Sequence, residues 1–212
     1  MPSIRHIIVC EGESEWAYLQ RLQSFVDSQP SVGNAFEPPL HFTVPKRGIV
    51  KTGTFGKLKS RYNEARKGQR NASIQIWADF DLYHRNDKQC ADYYKSKTAG
   101  IPDFLFSFYN FEDFFALHWS GNQFEEWLKF GRRGHFTTPL HSADYLPEIK
   151  RIFPGYGKGG LPADFITWES LRNLKSNLAH QPSGNPHDLQ ALKQFANFLI
   201  TEIERAYPGE LQ

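Results

Sequence analysis

The most constraining stretch of this chain is residues 73–82, Ser-Ile-Gln-Ile-Trp-Ala-Asp-Phe-Asp-Leu. It is an apolar run with β propensity that ends in two acids one residue apart. Positions i and i+2 of a strand share a face, so Asp79 and Asp81 can converge at the strand's carboxyl edge. Two carboxylates held that close repel unless a cation lies between them. Oxygen-only ligands suit Mg²⁺ or Mn²⁺ rather than zinc. A strand that simply ends in an Asp-rich turn has the same local pattern, so the rest of the chain has to separate the two readings.

The N-terminal segment repeats the theme. Residues 4–10 read as a buried first strand, and Glu11-Gly12-Glu13-Ser14-Glu15 leads into a helix with Trp16, Leu19, Leu22 and Val26 on one face. Glu11 then lies at a strand's carboxyl edge, where open α/β sheets place ligands, and Glu15, four residues on, faces the same way from the first helical turn. The structural alternative is a helix capped by Ser14, with the glutamates favouring its positive end. That accounts for Ser14, Glu13 and Glu15 better than for Glu11.

After Pro- and Gly-rich residues 29–39, a short alternating strand is expected at Leu40, Phe42 and Val44. Residues 46–70 then carry nine basic side chains (Lys46, Arg47, Lys51, Lys57, Lys59, Arg61, Arg66, Lys67 and Arg70) against one acid, Glu64. Thr54 is placed to cap a helix with Phe55, Leu58, Tyr62 and Ala65 inward and the basic residues outward. Such a flank either contacts phosphates or is a solvated face.

Beyond the Asp-x-Asp strand, a helix is expected over 89–97. Phe104, Phe106 and Phe108 then alternate as a strand running into Asn110-Phe111-Glu112-Asp113, a third acidic turn. His118 follows in an apolar helix and reads as a core histidine. The remainder is helical in pattern, over 123–130, 143–153, 168–180 and 187–206. Between them a Gly-rich loop holds Lys158, with neither Walker A nor dinucleotide spacing. The organisation is therefore an α/β core over 1–120, with a mostly parallel sheet of about four strands flanked by helices, and a helical extension over 121–212 packed on it.

Composition sets outer limits. A chain of 212 residues can bury a sizeable core, and its 18 Phe make that core ring-rich. The net charge of +2 implies no partner by itself. Cys10 and Cys90 form no Cys-x-x-Cys pair, which argues against a disulfide framework or a thiolate zinc site and for a reducing, cytoplasmic setting. No apolar run approaches membrane-spanning length, so no membrane association is expected.

Glu11-Gly12-x-Ser14-Glu15 after a first strand, with Asp79-x-Asp81 after a later one, resembles the Toprim domain of topoisomerases, primases and OLD nucleases. The closer resemblance is to the RloB family, which includes AbiLii. Asn110-Phe111-Glu112 followed by Leu117-His118-Trp119, the pair Tyr156-x-Lys158, and Asn185-Pro186 before the last helix are similar to that family's pattern. The first turn is one residue shorter than the pattern, and Phe114 stands where a Trp is usual. The resemblance implies a Toprim-like, Rossmann-like fold and a metal-dependent nuclease in an anti-phage defence setting, with nucleic acid as target and an ABC-type ATPase as possible partner.

On this reading Glu11, Glu15, Asp79, Asp81 and Glu112 are the candidate ligands of Mg²⁺ or Mn²⁺. Glu11 doubles as general base or acid, because a carboxyl crowded by other carboxylates holds its proton more tightly. Lys158 would counter charge on the phosphate or leaving oxygen, and Lys46, Arg47, Lys51, Lys57, Lys59 and Arg61 would contact nucleic acid. Two other functions compete: an aspartyl-phosphate phosphatase using Asp79 and Asp81, which leaves Glu11 without a role, and a partner-activated or non-catalytic Toprim-like regulatory subunit of an ATPase complex. Homo-oligomerisation is left open.

Overall fold

In the computed structural model, residues 4–30, 40–43, 55–68, 72–79, 104–107, 110–132, 142–157, 160–180 and 194–212 are described. Four strands, β1 (Ile4–Cys10), β2 (Leu40–Thr43), β3 (Ser73–Asp79) and β4 (Phe104–Ser107), form one sheet in the order β2-β1-β3-β4. Every pairing is parallel, with Cys10 opposite Trp77 and Asp79 opposite Ser107. The expected α/β class and four-stranded parallel sheet are thus what the chain forms. Parallel strands need crossover connections, which is why helices cover both faces and why β4 is buried at every position instead of alternating.

The described helices are α1 (Glu13–Ser28), α2 (Phe55–Gly68), α3 (Phe111–Ala116), α4 (Gly121–Arg132), α5 (Ser142–Ile152), α6 (Trp168–Leu178) and α7 (Phe195–Ala206). Strand alternation divides them between two layers. Ile8, Phe42, Trp77 and Leu105 face α1, α3 and α7 in the main core cluster. Leu58 and Tyr62 of α2 lie outside that cluster, and α2 contacts β1 and β3, so it covers the other face with its basic side chains turned outward.

Residues of the expected helical extension reach the sheet itself. The Phe195 ring stacks on the indole of Trp77, with centroids 3.7 Å apart and planes 7° from parallel, and both are fully buried. On β1, His6 bonds Glu202 of α7 through Nε2 at 2.9 Å and is flanked by the rings of Phe42 and Phe198. The α6 residue Asn177 donates to the carbonyls of Leu117 and Trp119 at 3.0 and 2.9 Å.

Three local expectations change. Helix α1 begins at Glu13 with Gly12 as its N-cap and no side-chain cap bond, so Ser14 is not the cap. Its buried stripe is Glu15, Tyr18, Leu19, Leu22 and Val26, and Trp16 is only half-buried. The last helix starts at Phe195 and not at 187, because Gln194 is extended and forms a parallel bridge beside Phe106. The helix expected over 89–97, the cap at Thr54 and the strand positions Val44 and Phe108 lie outside the described residues.

Candidate carboxylate site at the sheet's carboxyl edge

Strand order dictates where a site belongs. The chain goes from β1 to β2 on one side, then crosses to β3 and β4 on the other, so the winding reverses between β1 and β3. At such a switch point the connections diverge and leave a crevice outside the strands' carboxyl ends. Glu11 is the first residue beyond β1, and Asp79 is the last of β3. The two meet: the Asp79 backbone N–H donates to Glu11 Oε2 at 3.2 Å. Asp79 Oδ1 is sequestered from solvent.

Glu15 stands in the first turn of α1, against Gly12. It is buried, and its Oε2 lies 2.7 Å from where a Cβ on Gly12 would sit. Gly12 is extended, at φ −137° and ψ 179°, a conformation any residue adopts. The Glu15 carboxylate folds back against Gly12, so a Cβ there would displace the end of that side chain. Burial pushes the Cys10 thiol well up, and the negative charges of Glu15 and Glu11 push it further. The helix-end reading of Glu15 is also met, since an acid in the first turn faces unpaired N–H groups.

A third element brings Glu112. Asn110 caps α3 in a reciprocal capping box with Asp113, and Asp113 also accepts from Trp127 Nε1 at 3.0 Å. The box fixes the helix start just beyond β4 and holds Glu112 buried in the first turn. Tyr156, from the loop after α5, donates its hydroxyl to Glu112 Oε1 at 2.8 Å. Burial, then the charge of Glu112, and to a lesser degree Tyr145 and Asp79, hold the Tyr156 phenol well above its ordinary range. The contact that defines this turn is the hydrogen bond from Tyr156 to Glu112, and Asp79 is the weakest of the influences on the phenol.

His118 is a core residue, as its setting in the sequence suggests. It is fully buried, its Nδ1 faces the Phe114 carbonyl at 3.2 Å, and its Nε2 faces Tyr18 Oη at 2.9 Å. Burial lowers its pKa to about 4, so the ring is neutral and the tyrosine donates to it.

Asp81, Lys158, Lys46, Arg47 and Lys51 lie outside the described residues. Of the other basic candidates on α2, Lys57 is exposed, Lys59 is half-buried, and Arg61 pairs with Glu64 at 2.7 Å. A cleft of about 330 Å³ between α1 and β2, lined by Gln20, Gln23, His41 and Phe42 among others, shares no residue with the carboxylate edge.

The donor set of Glu11, Glu15, Asp79 and Glu112 is all oxygen, which fits a hard divalent cation. Among the described residues no three His, Cys, Asp or Glu side chains close around one point as a ready ion cage. Two residues that shape the site, Gly12 and Tyr156, figure in the sequence only within the resemblance. A glycine between two glutamates at a strand-to-helix turn is the signal that could have singled out Gly12. Tyr156 carries none, because its partner lies 44 residues away.

The fold is a parallel α/β sheet, with Glu11 and Asp79 in contact at its topological switch point. Comparison with protein-family models, with curated proteins and with solved structures finds no match. Among the described residues no helix is long and apolar enough to cross a membrane.

Proposed function

We propose that this chain is a divalent-metal-dependent nuclease that hydrolyses phosphodiester bonds in nucleic acid. The observation that carries the reading is the contact of Glu11 with Asp79, from separate turns, at the β1/β3 switch point. Glu11, Glu15, Asp79 and Glu112, with Asp81, are the residues that would hold Mg²⁺ or Mn²⁺. When bound, such an ion polarises a phosphate and makes water more acidic. Glu11, steadied by the Asp79 amide, takes the proton as water oxygen bonds to phosphorus and the bond to the departing sugar oxygen breaks. Lys158 is the candidate to counter charge on that oxygen. The outward basic side chains of α2 offer a sequence-independent hold on the backbone. The Toprim and RloB resemblance supports the same chemistry and adds the defence setting and an ATPase partner.

The test is cleavage of single- and double-stranded DNA and RNA with Mg²⁺ or Mn²⁺, alone and with a neighbouring ATPase if one is encoded. Glu11→Ala and Asp79→Asn should each abolish cleavage while circular dichroism stays unchanged. Cleavage persisting in both variants overturns the proposal.

A further inference from the structure

The two edges of the sheet are finished differently. At β4 the chain supplies its own neighbour, because Gln194 forms a parallel bridge with Phe106. At β2, the strand at the other end of the order, a side chain takes that place: the Phe42 backbone N–H donates to Gln23 Oε1 of α1 at 2.5 Å. Backbone N–H groups alternate in direction along a strand, so Leu40 and Phe42 both point theirs away from β1. The same Gln23 carboxamide donates through Nε2 to Asp27 Oδ1 at 2.7 Å, which fixes its orientation. It thus presents a C=O to an outward N–H as the peptide group of a further strand would. Beside it runs the cleft of about 330 Å³ between α1 and β2, with Leu19 and Phe42 as its apolar part and no Asp, Glu, Lys or Arg among the described residues lining it. A trough of that composition along a strand edge suits an extended chain free of formal charges, which adds to the edge by main-chain hydrogen bonds. The strand Leu40–Thr43, Leu-His-Phe-Thr, is itself free of acids, lysines and arginines.

We infer that β2 is a strand-accepting edge held shut by Gln23, and that the strand it takes when this side chain is withdrawn is β2 of a second copy. Two copies related by a two-fold axis pair antiparallel about His41, with Leu40 of each exchanging N–H···O=C bonds with Phe42 of the other. Gln23 competes for one of those N–H groups and so keeps the edge closed. This does not depend on the nuclease reading.

The experiment is sedimentation velocity of the full chain over a range of concentrations, with hydrogen exchange of the Phe42 amide read by NMR. In wild type that amide should be protected. Gln23→Ala should speed its exchange about tenfold at low concentration and add a dimer that grows with concentration. Gln20→Ala, in the same cleft one turn earlier, should do neither. Adding Thr43→Lys, at an exposed position of β2, to Gln23→Ala should remove the dimer, because a lysine on an edge strand opposes pairing. Gln23→Met, which keeps the length of the side chain and loses the acceptor, should reproduce Gln23→Ala and decides in its place if that variant does not fold. An equally protected Phe42 amide in wild type and Gln23→Ala, faster exchange with no added dimer, or a dimer that survives Thr43→Lys each overturns the inference.

Discussion

Replacing Gly12 with alanine separates a carboxylate placed for chemistry from one placed for a helix end. The added methyl would lie 2.7 Å from Glu15 Oε2, 3.7 Å from Cδ and 3.9 Å from Oε1. Ordinary contact lies near 3.4 Å, so Oε2 has to retreat by about 0.7 Å. The backbone need not move, because φ of −137° suits alanine. Two stability effects then oppose each other. Alanine is a poorer N-cap than glycine, costing roughly 0.5–1 kcal/mol, while loss of glycine's freedom in the unfolded chain returns about 0.4–1 kcal/mol. The melting temperature should therefore stay within about 4 °C of wild type. A metal ligand tolerates only about 0.5 Å of displacement, so Mn²⁺ affinity should fall roughly tenfold, or about 1.4 kcal/mol. Mn²⁺ titration and thermal unfolding on the same samples read both. Unchanged Mn²⁺ binding in Gly12→Ala, together with a loss of about 0.3–1 kcal/mol and no Mn²⁺ effect in Glu15→Gln, would leave Glu15 as a helix-end partner only.

Three further outcomes are expected. His118 titrates near 6.5 in the unfolded chain and at about 4 when folded, so the unfolded chain binds the extra proton between those values and stability falls as pH drops through them. That gap amounts to about 3 kcal/mol, so the loss of unfolding free energy from pH 7 to 4 should shrink by about that much in His118→Gln; an equal loss in both proteins would refute it. Phe195→Ala removes the ring stacked on Trp77 and should cost about 3–5 kcal/mol in a single urea transition; a second transition left unshifted would mean that α7 is not part of the cooperative core. Reversing Lys57 and Lys59 to Glu should weaken nucleic-acid binding and flatten its salt slope by about one for each phosphate no longer neutralised, whereas an unchanged slope returns α2 to a solvated surface.

What the sequence disclosed follows how local the determining physics is. The four strands and the two acids at the switch point are legible because each is a run of neighbours: Ile7 to Cys10 before Glu11, and Ile74 to Ala78 before Asp79. The inward face of α1 was legible at Leu19, Leu22 and Val26, but Tyr18 and Glu15 are buried there in place of Trp16 because the packing partners that decide the edge of the stripe lie elsewhere in the chain. The Tyr156 to Glu112 bond and the Phe195 to Trp77 stack join residues far apart in the chain, so no window of periodicity contains them. His118 lay between these cases: its apolar neighbours gave its burial, but only the fold supplied the Tyr18 hydroxyl.

The bond between His6 and Glu202 spans 196 residues and closes the core around the central strand. During synthesis at about 5–20 residues per second, that closure waits roughly 10–40 s after the first strand has emerged. Phe195 follows Trp77 by 118 residues, so for roughly 6–24 s the indole lacks the ring that will cover it, and the nascent form exposes an aromatic surface that the finished one buries.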